Sequence, residues 1–233
     1  MKRDYAEYLL NKTNEDYNLI ADHFASTRMF PSKDLKELGN YAQPGDKILD
    51  LGCGSGRLFA VLKDKQVEYV GVDNCEKLIK ISQKDYPGTR FITTDGLNLP
   101  FSADSFDKIY CIAVLHHIPS SELRLAFLKE ARRVLKPTGI LILRVWDLWR
   151  RAAGKRLLVK FTLLKIMGRS QLDLKDVLLS WRNPTGKIIT SRYFHAFTLK
   201  EIKGLIREAG LKEKKGWRGG DVLRPNIYLI AEK

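Results

Sequence analysis

The sequence predicts an α/β fold: a doubly wound, mostly parallel sheet flanked by helices. Three observations predict it. Short apolar, β-branched runs alternate with helical stretches along most of the chain, which implies parallel strands joined by right-handed crossovers. A glycine-rich turn follows the first strand, and an acid stands at the end of each of the first three, where open α/β sheets bind ligands. With 44% hydrophobic residues in 233, the chain has enough apolar material for one large core.

Taken in order, Glu15 to Thr27 reads as an amphipathic helix with Tyr17, Ile20, Ala21 and Phe24 on one face. Lys47-Ile-Leu-Asp-Leu51 is the first strand, and Leu58 to Lys65 a short helix. Glu68-Tyr-Val-Gly-Val72 is the second strand. The helix Glu76 to Asp85 stops before Pro87-Gly88. Arg90-Phe-Ile-Thr-Thr94 and Lys108-Ile-Tyr-Cys-Ile-Ala-Val114 are strands three and four. A helix from Ser120 to Leu135 ends at Lys136-Pro-Thr-Gly139, and Gly139 to Val145 is strand five. Residues 147–190 interrupt the alternation as a basic, helical insertion. A helix from Thr198 to Ala209, closed by Gly210, precedes strands around Leu211–Trp217 and Asn226–Glu232. One domain over 1–233 with that insertion is the simplest organisation.

Composition narrows the partners. Lys and Arg number 41 against 27 Asp and Glu, a net charge of +14, which favours an anionic partner, nucleic acid first and an anionic membrane surface second. No run approaches the ~20 apolar residues of a membrane span, and Met1-Lys-Arg-Asp-Tyr-Ala-Glu lacks a signal-peptide apolar region. Cys53, Cys75 and Cys111 are odd in number, far apart and free of any C-x-x-C pair. They encode neither disulfides nor a Cys-rich zinc site, and they suit a reducing cytosol.

The strongest signal is Ile48-Leu-Asp-Leu-Gly-Cys-Gly-Ser-Gly56. Gly52, Gly54 and Gly56, with Cys53 between them, form G-x-G-x-G between strand and helix, bringing backbone N–H groups close to a ligand. The spacing is neither the dinucleotide fingerprint nor a Walker loop. Asp50 ends the first strand. Asp73, followed by Asn74, ends the second, about 20 residues on, where a carboxylate bonds both ribose hydroxyls of a nucleoside. Asp95-Gly96 follows the third strand, within reach of an adenine amino group. An acid at a strand end is often only a turn or cap residue; three in order and spacing point instead to a nucleoside without phosphate and with a positive charge.

These residues resemble the class I S-adenosylmethionine-dependent methyltransferases over roughly residues 44 to 145 and again at the C-terminal strands. Asp50 to Gly56 is similar to their first motif, Asp73 to the ribose-binding acid and Asp95-Gly96 to the adenine-binding acid. Leu135-Lys-Pro-Thr-Gly139 resembles their L-K-P-G-G turn, with Thr138 in place of a Gly. The resemblance implies a Rossmann-like, seven-stranded sheet whose last strand is antiparallel, and S-adenosyl-L-methionine as cofactor.

Further segments resemble the tRNA wobble-uridine methyltransferases, which esterify a carboxymethyl group on uridine 34. They are Asp16 to Arg28, Ala113-Val-Leu-His-His-Ile118, Arg192-Tyr-Phe-His-Ala-Phe197 and Arg224-Pro-Asn-Ile-Tyr228. Two departures stand out: Met29-Phe-Pro-Ser32 replaces K-P-W-P, and Ile227-Tyr228 replaces a paired Trp. A carboxylate nucleophile is ionised at neutral pH and needs orientation, not a general base. The candidates to hold it are Arg28, His116, Arg192 and His195, with Tyr193 as hydrogen-bonding or stacking face. An amine or hydroxyl acceptor would need a base, for which His116, His117 and His195 are the candidates. Arg192 and His195, three apart, face one site on a helix or turn and opposite sides in a strand.

The insertion is the expected RNA surface. Lys155, Arg156 and Lys160 stand among interleaved leucines, basic charge over an apolar inner face; Arg224 and Asn226 are expected to extend the contact. Such a helix also suits a membrane surface. The resulting expectation is a cytosolic tRNA methyltransferase. The alternatives are methylation of a small acid or quinone-like lipid precursor, and a non-catalytic RNA-binding or partner module. The resemblance also implies a small zinc-binding activator subunit.

Overall fold

A computed structural model describes residues 1–221 and 224–233. Its centre is a seven-stranded sheet of β1 (Lys47–Leu51), β2 (Glu68–Asp73), β3 (Arg90–Thr93), β4 (Phe106–Ile112), β5 (Leu135–Trp146), β8 (Lys212–Gly220) and β9 (Pro225–Glu232). The order is β3-β2-β1-β4-β5-β9-β8. The first five strands are mutually parallel, and β9 runs antiparallel between β5 and β8. The strands in the middle are buried on both faces, as expected of a sheet covered by helices on each side.

One face carries α5 (Ser121–Val134) and α7 (Leu199–Glu208), whose Phe127, Leu128, Ile202 and Ile206 meet Leu49, Ile109 and Leu143. The other carries α2 (Lys33–Leu38), α3 (Phe59–Leu62) and α4 (Glu76–Asp85), which close on Ile48, Tyr110 and Ile142. From β1 the chain moves outward to β2 and β3, then crosses back to β4 on the other side of β1, so the crevice opens above β1. The Ser120 hydroxyl accepts from Leu123 N at the start of α5, and Thr198 does the same for Glu201 N at α7.

Three expectations change. The first helix, α1, spans Arg3–Ser26 and not only its second half; Ala6, Leu9 and Thr13 keep the helical spacing of buried positions, and Leu9 packs on Leu172 and Tyr193. Strand β5 begins at Leu135, without the expected turn, and absorbs Lys136-Pro-Thr-Gly139 as a register shift opposite Phe106 and Lys108. The 147–190 insertion is helical only in its first half. After α6 (Ala152–Ile166) the chain forms a two-stranded antiparallel sheet, β6 (Asp176–Arg182) with β7 (Ile188–His195). Asn183-Pro-Thr-Gly186 is the turn that splits the segment, with Gly186 at φ +84°.

The hairpin and α1 meet over the crevice. Asp16 of α1 accepts from Lys12 Nζ at 2.7 Å and from the Thr190 hydroxyl of β7. Asn14 and Asn18 bind the start of α4 through Asn74 O and Lys77 N. Among the described residues no helix is long and apolar enough to cross a membrane.

Candidate active site

A cavity of about 1230 Å³ lies above the carboxyl ends of β1, β2 and β4. Ligand pockets commonly run ~300–1,000 Å³, so there is room for more than one small molecule. The glycine loop forms its floor. Gly52 N and Cys53 N both donate to Val72 O, at 2.8 and 2.9 Å. Gly52 sits at φ +84°, and a Cβ there would come within 2.2 Å of Val114 Cγ2. At Gly54, φ +55°, a Cβ would meet nothing within 4 Å and would project into open space. The loop is thus held down at one glycine and left open at the next.

The three strand-end acids surround that opening. Asp73 Oδ2 accepts from Gly54 N at 2.9 Å and Oδ1 from Cys75 N at 2.8 Å. Burial raises its carboxyl, while those amides and Asn74 N pull the other way. Exposed Asp95 accepts from Leu97 N at 3.0 Å. Asp50 lies deeper: Tyr69 donates to it at 2.7 Å, and burial pushes its carboxyl up to about 7. Asn74, Gly96 and Ala113 also line the cavity. Ala113 takes φ +64°, an unfavourable backbone for a residue with a Cβ, and this turns residues 113–117 into the cavity wall. A charged acceptor set, an open glycine and a wide cavity fit a cationic nucleoside such as S-adenosylmethionine, with Gly54, Asp73, Asn74, Asp95 and Gly96 on its adenosine side.

The opposite wall is cationic. Arg28 lies at the end of α1, its guanidinium 3.9 Å from the Phe24 ring centroid and 5.4 Å from that of Trp181. Burial and the facing Arg57 bring it down to about 10; burial and Arg144 do the same to Arg57. Neither pairs with a carboxylate among the described residues. Two half-buried guanidiniums that repel one another make a receptor for an anion. Arg144 by contrast donates to Asp34 at 2.7 Å, where Tyr228 and Asn226 also donate. The sequence reading missed Arg57, Arg144 and Asp34; the cation directly after Gly56 was the available signal.

Both histidines after β4 line the cavity and are held neutral. His117 Nδ1 faces the Tyr193 carbonyl at 3.0 Å, so that nitrogen carries the hydrogen. Nε2 then accepts from the Tyr17 hydroxyl at 2.8 Å, and the Tyr17 oxygen accepts from Arg192 Nη1 at 2.8 Å. Burial, reinforced by Arg192, pushes His117 down to about 3. His116 lies against the stacked pair of Trp146 and Phe194. Burial drives it well below the usual histidine range, helped by His117 and Arg144. Its Nδ1 accepts from Trp146 N at 3.4 Å, which leaves Nε2–H without a partner.

The Arg192-Tyr-Phe-His195 segment is strand, not helix or turn, so its side chains alternate. Arg192 reaches the cavity wall only through Tyr17, with its guanidinium 4.8 Å from the Trp181 ring centroid. The expectation that His195 and Tyr193 meet a substrate is corrected. Both point away from the cavity. Tyr193 accepts from Arg124 at 2.9 Å, and His195 binds Asp176 at 2.6 Å and Glu201 at 2.7 Å. Lys155, Arg156 and Lys160 are exposed on α6 beyond the cavity. Arg224 lies at its mouth, and Asn226 is buried against Asp34, Tyr228 and Arg224 O.

Comparison with known proteins is consistent with this geometry. A family model described as a methyltransferase domain matches residues 49–143. The tRNA (carboxymethyluridine(34)-5-O)-methyltransferase of Schizosaccharomyces pombe is 28% identical, over 97% of this chain and 98% of that one. An inferred methyltransferase of Encephalitozoon cuniculi is 33% identical over 82% of this chain and 78% of its own length. Vertebrate relatives are longer, and the chain spans 28–31% of several of them. The crystal structure of a SAM-dependent methyltransferase from Methanosarcina mazei superposes with a TM-score of 0.70 at 26% identity, covering 84% of this chain and 96% of that one.

Proposed function

Since the chain belongs to the S-adenosylmethionine-dependent methyltransferases, we propose that it methylates tRNA, esterifying the carboxymethyl group of a modified uridine at wobble position 34. When bound, S-adenosylmethionine supplies an electrophilic methyl group on a sulfonium. The acceptor must then be a nucleophile in place and in line.

One observation carries the reading: the wall opposite the glycine loop offers guanidiniums and no free base. His117 has its lone pair committed to Tyr17, His116 turns its own to Trp146 N, and burial makes both weak bases. An amine or hydroxyl acceptor would find no side chain on this wall free to take its proton. A carboxylate has none to lose, and Arg28 offers it a partly desolvated cation. His116 Nε2–H is a further donor on the same wall. Arg57, next to the glycine loop, suits the carboxylate of the methyl donor. Arg192 acts through Tyr17, fixing that hydroxyl and the tautomer of His117.

The names of the relatives support tRNA as the acceptor, and Lys155, Arg156, Lys160 and Arg224 supply cations for its phosphates. The three cysteines are buried and free, which suits the cytosol. A small zinc-binding activator remains part of the expected assembly. A methylated lipid acid is the second reading, favoured by Val159, Leu163, Ile166 and Met167, exposed together on α6.

The test is transfer of radiolabelled methyl from S-adenosylmethionine into tRNA, lipid extract and free acids, followed by mild alkali. The expected product is tRNA-bound label released by alkali as methanol, since an ester hydrolyses where an N-methyl or ether does not. Its rate should be flat from pH 7 to 9. Alkali-stable label, or a rate climbing through that range, would move the acceptor to an amine or hydroxyl.

A further inference from the structure

The segment between α1 and α2 holds two of the most exposed large apolar side chains among the described residues: Phe30 at 81% and Met29 at 68%. It is the Met29-Phe-Pro-Ser32 stretch in which this chain departs from the family pattern. The segment borders the cavity, because Thr27 and Arg28 before it and Ser32 and Lys33 after it all line the opening. Phe30 stacks on no neighbouring aromatic ring, and the pairs at this rim are formed by Phe24 and Trp181 instead. Lys33 and Arg182 stand exposed at the same mouth, and neither meets a carboxylate among the described residues.

Exposed single apolar residues are common and need no function. An exposed aromatic on a segment that borders a large cavity, with cations free of carboxylates at the same mouth, is a narrower pattern. It is the arrangement that binds single-stranded nucleic acid, in which base faces stack on aromatics and phosphates track the cations.

We infer that Phe30 is a stacking platform for the unpaired base next to the methylated nucleoside, with Lys33 and Arg182 holding the adjoining phosphates. The inference rests on the reading of an RNA acceptor and deepens it: the enzyme takes its nucleoside from an unstacked loop and reads a neighbour of the target. Pro31 limits the backbone freedom of the segment, so the platform loses little freedom on binding. Any base can stack, so the contact supplies affinity and register, not identity.

Two measurements test this. In the first, an RNA hairpin with 2-aminopurine next to the loop uridine is titrated with enzyme. Stacking should quench its fluorescence with wild type and with Phe30→Trp, and not with Phe30→Ala or Phe30→Leu. In the second, Phe30→Ala should raise KM for tRNA about tenfold, within the range for loss of one base–aromatic stack. Transfer to the free modified nucleoside and affinity for S-adenosylmethionine should be unchanged. Quenching that is absent in the wild type, or as strong with Leu, overturns the platform. So does a KM that moves equally for tRNA and free nucleoside. Quenching that persists in an enzyme that leaves tRNA unmethylated instead defeats the proposed reaction and leaves the platform standing.

Discussion

Replacing Asp73 with alanine removes an acceptor that serves two masters. Its oxygens hold Gly54 N at 2.9 Å and Cys75 N at 2.8 Å, and in the proposed site they also meet the ribose hydroxyls of the methyl donor. In the free protein the loss leaves two amides without partners. Each costs ~1–3 kcal/mol when dry, but the cavity admits water to both, so ~2 kcal/mol of stability for the pair is expected. On binding, two hydrogen bonds to a charged acceptor are lost, at ~1.5–3 kcal/mol each. Water recovers part of that, leaving ~3 kcal/mol, or roughly a hundredfold in Kd. Asp73→Asn should lose almost as much, because its amide NH₂ faces one of the two backbone donors. Calorimetric titration with S-adenosylmethionine, beside urea denaturation, measures both effects. Affinity within twofold of wild type would refute the ribose assignment. A stability loss well beyond ~4 kcal/mol would show instead that the loop itself had collapsed.

Three other outcomes are expected. Arg192→Lys keeps the charge but not the planar group packed near Trp181 and Tyr17, so methyl transfer to tRNA should fall about tenfold with donor affinity intact; an unchanged rate would remove Arg192 from the positioning of the acceptor. Charge reversal at Lys155, Arg156 and Lys160 should weaken tRNA binding and flatten its salt dependence, and filter binding across salt concentrations would show a parallel, unshifted line if α6 does not touch RNA. Burial pushes Asp50 up to about 7, so its contribution to stability is full below the unfolded value near 3.8 and is lost as pH rises through about 7. Asp50→Asn should therefore gain on the wild type between pH 5 and 8, on the order of 1–3 kcal/mol, and identical pH dependence in urea melts would contradict the buried charge.

The donor half of the site was legible in the sequence because its signals are local. Gly52, Gly54 and Asp95 follow, and Asp73 ends, a strand that the apolar pattern identifies, and strand ends determine where those side chains go. The acceptor half was not, because it is assembled from distant segments. Tyr17, His117 and Arg192 lie on three different elements, and nothing in the spacing of 17, 117 and 192 announces that they form one chain of hydrogen bonds. The spacing of Arg192 and His195 allows one shared site on a helix or turn and opposite sides in a strand, and the sequence does not decide between them. Leu178 and Leu179 side by side break the alternation that would have marked β6, and only the pairing with β7 resolves it. Arg57 escaped notice because it directly follows a motif whose glycines account for the turn by themselves.

The hydrogen-bonded link from Arg192 through Tyr17 to His117 has a consequence for how such enzymes diverge. The stretch matched as a methyltransferase domain, residues 49–143, contains the glycine loop and all three strand-end acids. Tyr17, Arg28 and Asp34 lie before that stretch, and Trp181, Arg192 and Arg224 after it. The proposed acceptor wall is therefore built mostly of chain outside that stretch, with His116 and His117 as its members inside it. Its parts cannot drift singly. A change at 17 strands the cation at 192 and frees the lone pair of 117, which burial and that same cation still hold down to about 3. A new acceptor chemistry then needs more than that one tyrosine: the buried guanidinium behind it must be exchanged in the same lineage.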